Sequence, residues 1–150
     1  METTHFADIE EEFTHRVSTM IWCNVATIDA QQRPRSRIMH PVWEGAIGWV
    51  TSRRHAYKSK HLADNPHVSL AYIADVAKPL YIDCTAEWED RPEEKMRVWE
   101  FLKSTPEPYG FDPATLFQTQ DNPNYGLLRL TPWRIELPAI PQETTIWRKS

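Results

Sequence analysis

The sequence predicts a mainly β fold of the α+β class: a small barrel with a few helices attached. Three observations carry that expectation. Six or so short segments read as strands, with few helices between them and no β-α-β alternation. Glycine numbers only 4 in 150 residues and proline 12. Prolines at that density cut the chain into short elements, and glycine-rich phosphate loops are missing, with no G-x-G-x-x-G and no G-x-x-x-x-G-K-[ST]. Seven tryptophans require large apolar surroundings. A single domain over residues 1–150 accounts for the length, since a domain of this size buries roughly 68–70% of its unfolded surface and needs no disulfide or metal to fold.

The elements follow in order. Phe6, Ile9, Phe13 and Val17 recur at helical spacing, so Phe6 to Ser18 reads as a helix flanked by Glu10 to Glu12 and Arg16. Met20 to Ile28 is a buried strand, and Asp29 to Arg33, ending at Pro34, is a turn. Ser36 to Trp43 and Ala46 to Thr51 are two further strands about the turn Glu44-Gly45, which makes an antiparallel meander of three. A short helix is expected from about His55 to Ala63, stopped by Asn65-Pro66, and Val68 to Ile73 is the fourth strand. Leu80 to Trp88 alternates strictly: Leu80, Ile82, Cys84, Ala86 and Trp88 share one face, the core side. Asp90 to Lys103 reads as a helix with Asp90 and Glu93 at capping-box spacing, Pro92 in the first turn, and Met96, Trp99 and Leu102 on one face. Four prolines make Thr105 to Pro123 a loop with a short helix near Ala114 to Phe117. Tyr125 to Leu130 and Trp133 to Leu137 complete the strands, broken by Pro132.

Several function classes are disfavoured. A net charge of -4, from 17 basic and 21 acidic residues, argues against a general nucleic-acid binder, which is usually basic. Cys23 and Cys84 lack a C-x-x-C neighbour, and His55, His61 and His67 fall at spacings unlike those of zinc sites. Both cysteines read as buried thiols of a reducing cytosol. The acidic start of the chain does not resemble a signal peptide, and no apolar run reaches membrane-spanning length, so a cytoplasmic protein without membrane association is expected. No G-x-S-x-G elbow is present, and no self-sufficient acid–base pair is recognisable.

A basic segment remains. Arg35 and Arg37 alternate on one strand and should share a face. Thr51-Ser52 follow one hairpin later, then Arg53, Arg54, Lys58 and Lys60. If the second and third strands pair, hydroxyls, a strand arginine and a helix lysine converge. Such a group suits a phosphate: guanidinium as a bidentate fork, lysine as a point charge, hydroxyls as neutral donors. A solvated basic face is the alternative.

These residues also resemble a known family. Ala26-Thr27-Ile28-Asp29, the stretch Arg33 to Met39, Trp49 to Arg53, Lys58 to Leu62 and Asn65 to Leu70 together are similar to the pyridoxamine 5'-phosphate oxidase-like, FMN-binding split-barrel family. The resemblance implies a six-stranded antiparallel split β-barrel and a homodimer with two FMN molecules in clefts between subunits. Carried over residue by residue, it implies that Arg37 meets the flavin phosphate or ribityl chain, Thr51 and Ser52 surround the phosphate, and Lys58 pairs with it. It places Ile38 and Met39 against the flavin ring and brings Trp133 towards the ring from the partner subunit; a core position for Trp133 is the alternative. The basic residues that bind the substrate phosphate in true pyridoxamine 5'-phosphate oxidases have no match in Ile146 to Ser150. Some short relatives use a deazaflavin coenzyme, whose acidic tail Arg53, Arg54 and Lys60 could accept.

The function this implies is an FMN-dependent oxidoreductase acting on a small molecule. The cofactor would carry the electrons and the protein would supply binding and orientation, with Trp43, Trp49 or Trp133 shaping the cavity. A flavin- or deazaflavin-binding carrier or stress protein without turnover is the alternative.

Overall fold

The computed structural model of the chain describes residues 1–55 and 58–150, the side chains of 58–60 excepted. Its elements run β1 (Glu2–Thr3), α1 (Glu10–Met20), β2 (Cys23–Ile28), β3 (Pro34–Met39), β4 (Val42–Glu44), β5 (Ile47–Arg53) and α2 (Lys58–Asp64). They continue with β6 (His67–Tyr72), β7 (Leu80–Trp88), α3 (Pro92–Ser104), α4 (Ala114–Phe117), β8 (Tyr125–Ala139) and β9 (Gln142–Arg148). The strands form one sheet in the order β1-β9-β8-β7-β6-β2-β3, and β5 branches from β8 with β4 at its side. All pairings are antiparallel except β1 with β9. β3 and β5 do not pair, so the sheet curls without closing. This is the split barrel that the sequence resemblance implied.

The long strand β8 makes the curl possible. Its first half, Tyr125 to Leu130, pairs with β5, and its second half, Arg134 to Ala139, pairs with β9, while β7 runs along both. Pro132 does not end the strand as expected. It sits opposite Cys84 at an irregularity, with Asp83 opposite Arg134, and Trp133 is extruded as the unpaired residue. A proline has no N–H for the ladder, and a bulge absorbs that loss.

Two cores result. Inside the barrel lie Val25, Leu70, Tyr72, Leu80, Ile82, Cys84, Leu128, Leu130 and Ile135, capped by Phe13 and Val17 of α1. Trp43 enters this core and donates its Nε1–H to the Tyr72 hydroxyl at 3.0 Å. Burial raises the Cys23 thiol to a pKa of about 12 and pushes Cys84 up as well, so both stay protonated at neutral pH. On the outer face, Val98, Trp99 and Leu102 of α3 cover Val42, Trp49, Tyr125 and Leu127.

Several expectations need correction. The first helix is two pieces: a 3-10 turn at Phe6–Asp8, then α1, which runs on to Met20. Arg16, expected to flank the apolar stripe of the first helix, is buried. Its Nη1 donates to the carbonyls of Pro79 and Pro138 at 2.7 and 2.8 Å and its Nε to Glu12 at 2.8 Å, and these charge-assisted hydrogen bonds oppose the cost of burial. The expected strand Ser36 to Trp43 is interrupted at His40-Pro41, because Pro41 cannot donate; β3 turns to β2 and β4 forms its own hairpin with β5. The three-stranded meander therefore does not exist. On α3, Val98 replaces Met96 in the buried face, and Met96 is exposed. Arg91 rather than Asp90 occupies the N-cap, with no side-chain cap, because the Asp90 carboxylate is held by Arg54. No helix of the described residues is long and apolar enough to cross a membrane.

Candidate functional site at the barrel seam

The seam lies where two strand edges face each other without pairing. Among the described residues β3 pairs only with β2. Beyond Trp49, the edge of β5 turned away from β8 has no strand partner. An unpaired edge presents alternate N–H and C=O groups, here into a cavity of about 460 Å³. Ile38, Met39 and His40 line it from one edge, and Val50 and Thr51 from the other. Trp22 closes one side. The segment after α3 supplies Phe111, Thr115 and Leu116. The volume falls within the usual range of small-ligand sites, roughly 300–1,000 Å³. A larger cavity of about 800 Å³ between α3 and residues 112–123 contains none of the cofactor-site residues expected from the sequence.

The β2–β3 turn sets the position of the basic strand. Asp29 accepts backbone N–H bonds from Gln31 and Arg33, both at 2.9 Å, and the Arg33 Nε–H at 2.9 Å. The Arg33 backbone bond leads in holding its carboxyl below the ordinary range. Gln32 takes a left-handed φ of 63° to complete the turn. The register then places Arg35 opposite Thr27, Arg37 opposite Val25 and Met39 opposite Cys23. Directly opposed residues share a face, so both arginines lie on the Met39 side of the strand, the side that meets the barrel core. Arg35 Nη1 stands 3.7 Å from Asp29. Arg37 is exposed and makes no ion pair among the described residues.

The residues chosen from sequence divide accordingly. Ile38, Met39 and Thr51 meet at one cavity. Thr51 and Ser52 do not converge, because both lie within β5 and adjacent strand residues point to opposite faces. Ser52 is opposite Gly126, where a Cβ would stand 2.4 Å from the Ser52 carbonyl oxygen. Lys58 begins α2, and its side chain, like that of Lys60, lies outside the described residues. Arg54 is engaged elsewhere: its Nε and Nη2 bind Asp90 at 2.8 and 3.0 Å, and it stacks on Trp88 at 4.7 Å. Arg53 is exposed. Trp133 is 43% exposed on its bulge and is not a core residue. Trp43 and Trp49 are buried in the two cores and do not line the seam.

Two aromatic residues and a histidine that line the cavity, Trp22, Phe111 and His40, carry no signal in the sequence, and neither does Tyr109 beside them. Trp22, His40, Tyr109 and Phe111 pack around one point, with the His40 ring centroid 5.1 Å from Trp22, 6.3 Å from Tyr109 and 5.4 Å from Phe111. His40 Nε2 lies 2.6 Å from the Tyr109 carbonyl oxygen. Burial holds this imidazole below its usual pKa, and the Tyr109 bond only partly opposes that. His40 and Tyr109 stand 69 positions apart in the chain, with β4 to α3 between them, so no local pattern announces the contact.

A family model described as pyridoxamine 5'-phosphate oxidase matches residues 9–137. Among curated proteins none matches the sequence. Solved structures do. One is a protein related to general stress protein 26, of the pyridoxinephosphate oxidase family, from Clostridium acetobutylicum; it is 15% identical with a TM-score of 0.74, covering 94% of each chain. Another is a pyridoxamine 5'-phosphate oxidase-related, FMN binding protein from Nostoc punctiforme, 12% identical with a TM-score of 0.64, covering 95% of this chain and 96% of that one. An F420 reductase superposes with a TM-score of 0.58 at 13% identity, over 81% of this chain and 93% of its own. At these identities the structures establish the fold, and the family model spans both strands of the seam and the turn that positions Arg37. The chain belongs to the pyridoxamine 5'-phosphate oxidase family.

Proposed function

We propose that this protein binds FMN at the seam and acts as an FMN-dependent oxidoreductase on a small molecule. The observation that carries the reading is the cavity itself: two strand edges without a strand partner among the described residues, an apolar wall, and Arg37 one residue before Ile38 on the strand that lines it. Flat aromatic rings with polar edges suit such a place. The ring would lie along the β3 backbone at Ile38 and Met39, whose main-chain groups would meet its hydrogen-bonding atoms. Phe111 and Leu116 would exclude water from the other side.

Arg37 would hold the phosphate as a bidentate fork, with Arg35 beside it and Lys58 of α2 as a second cation. The Thr51 hydroxyl would serve the ribityl chain. Ser52 would contribute through its backbone, since its side chain points to the other face. Bound flavin would supply the electron or hydride chemistry, and the protein would orient and desolvate it. A second copy of the chain would cover the solvent-facing β3 strand and the exposed Ile38, Tyr81 and Trp133, giving Trp133 its approach to the ring.

The decisive test is the absorption spectrum of the purified protein, followed by mass analysis of the ligand released on denaturation. Flavin bands and released FMN are expected. A deazaflavin in the released fraction would replace the cofactor while keeping the site. A colourless protein that takes up neither compound would refute the proposal. Reduction by NADPH and reoxidation by an acceptor would distinguish an enzyme from a carrier, which would show neither at a useful rate.

A further inference from the structure

We propose that His40 is a ligand-positioning residue whose Nδ1 accepts a hydrogen bond inside the seam cavity, so that the site selects a flat substrate bearing an O–H or N–H group. The proposal deepens the reading of the seam as an oxidoreductase site and rests on it for the word substrate.

The Tyr109 main-chain oxygen only accepts, so at 2.6 Å the proton must reside on His40 Nε2. That places the lone pair of the neutral ring on Nδ1. No described group donates to Nδ1, although His40 lines the cavity. The ring is not free to turn. Trp22 and Phe111 pack at 5.1 and 5.4 Å, tilted 47° and 43°, and rotation would forfeit the Tyr109 bond.

The other walls make this acceptor matter. Trp22, Ile38, Met39, Val50, Phe111 and Leu116 present no charged group. Thr51 and Thr115 are the other polar side chains there, and a hydroxyl can turn to donate or accept. Neutral His40 cannot. Burial already disfavours its protonation, and an imidazole fixed in one tautomer discriminates donors from non-donors of the same shape. A ligand with a proton to give satisfies Nδ1, whereas a methylated analogue leaves it desolvated and unpaired.

Phenol and anisole are suitable probes, being flat and alike except for the donor. The protein is used as purified, with its FMN content measured separately. Ring-nitrogen NMR of His40 should show the Nε2–H tautomer at pH 7. Phenol should bind on the order of fivefold more tightly than anisole, the effect of about one neutral hydrogen bond. His40→Phe should abolish that preference while keeping the aromatic packing, and His40→Gln, which can donate and accept at once, should restore part of it. Thermal melts check that both variants fold.

An Nδ1–H tautomer, equal affinity for the two probes, binding of neither, or a preference that survives in His40→Phe would each overturn the proposal. Loss of FMN from folded His40→Phe would also overturn it, because the donor would then belong to the cofactor. A protein that never holds FMN, yet prefers phenol through His40, would refute the flavin reading and leave the acceptor role standing.

Discussion

Arg37→Ala separates binding from folding more cleanly than any other change at the seam. The side chain is exposed on β3 and makes no ion pair among the described residues, so its removal leaves no buried partner behind. An exposed substitution of this kind changes stability by about 0.5 kcal/mol or less. At this chain length that shifts Tm by roughly 2 °C at most. If Arg37 grips a phosphate, however, the variant loses a hydrogen bond to a charged group, worth about 1.5–3 kcal/mol. The corresponding rise in the FMN Kd is roughly 10- to 150-fold. Flavin fluorescence quenching on titration of the stripped protein measures the Kd, and the salt dependence should weaken in the variant as one phosphate contact is lost. Arg35→Ala is the comparison, since Arg35 already has Asp29 within 3.7 Å and should have the smaller effect. An FMN affinity within twofold of wild type, with Tm unchanged, would show that Arg37 does not hold the phosphate and would remove the electrostatic half of the proposed site.

Two further outcomes test the scaffold. Tyr72→Phe removes the hydroxyl that accepts the Trp43 indole N–H at 3.0 Å inside the barrel and also pairs with the Cys23 thiol. Leaving that buried donor unpaired should cost about 1–3 kcal/mol and lower Tm by roughly 2–12 °C, with FMN uptake retained; an unchanged melt would mean that the bond contributes nothing net. Glu44 accepts both Arg97 Nη1 and Nη2, at 2.8 and 2.9 Å, and Trp49 Nε1 at 3.2 Å. The Arg97 bonds hold its pKa below the ordinary carboxyl value of 4.5. Because the folded pKa is the lower one, its stabilisation is present above about pH 4.5 and is lost as pH falls through the depressed value. Glu44→Gln should therefore melt below wild type at pH 7, with the gap closing towards pH 3; parallel curves across that range would contradict the assignment.

Much of the architecture was legible because strands and short helices carry local signals. The period-two run Leu80 to Trp88 is β7 to the residue, and the core face is the one that alternation assigned, although Trp88 itself is only half-buried. Prolines around Ala114 to Phe117 left room for one helical turn, and α4 occupies it. Asp29 before a polar turn fixed the hairpin that lines up Arg35 and Arg37.

Pairing partners were not legible. Which edge β3 meets depends on how far the whole sheet curls, and that depends on β8, whose bulge at Pro132 lets one strand serve β5 at one end and β9 at the other. Proline removes a ladder bond, which predicts the end of the strand there, but neighbours on both sides carry it through. β9 and β1 were missed for the same reason: their threonine- and charge-rich residues become strand only by adding to an existing edge.

By itself, then, the order of residues determined most of the strands and helices between Phe6 and Leu137, the core face of β7, the family and the cationic strand. Tertiary structure decided that the barrel stays open between β3 and β5 and that His40 meets Tyr109 and Phe111, the former across 69 residues. Periodicity is a property of neighbours along the chain. A cavity belongs to surfaces that fold back on one another, and here those surfaces come from segments whose separation in sequence holds no trace of their contact.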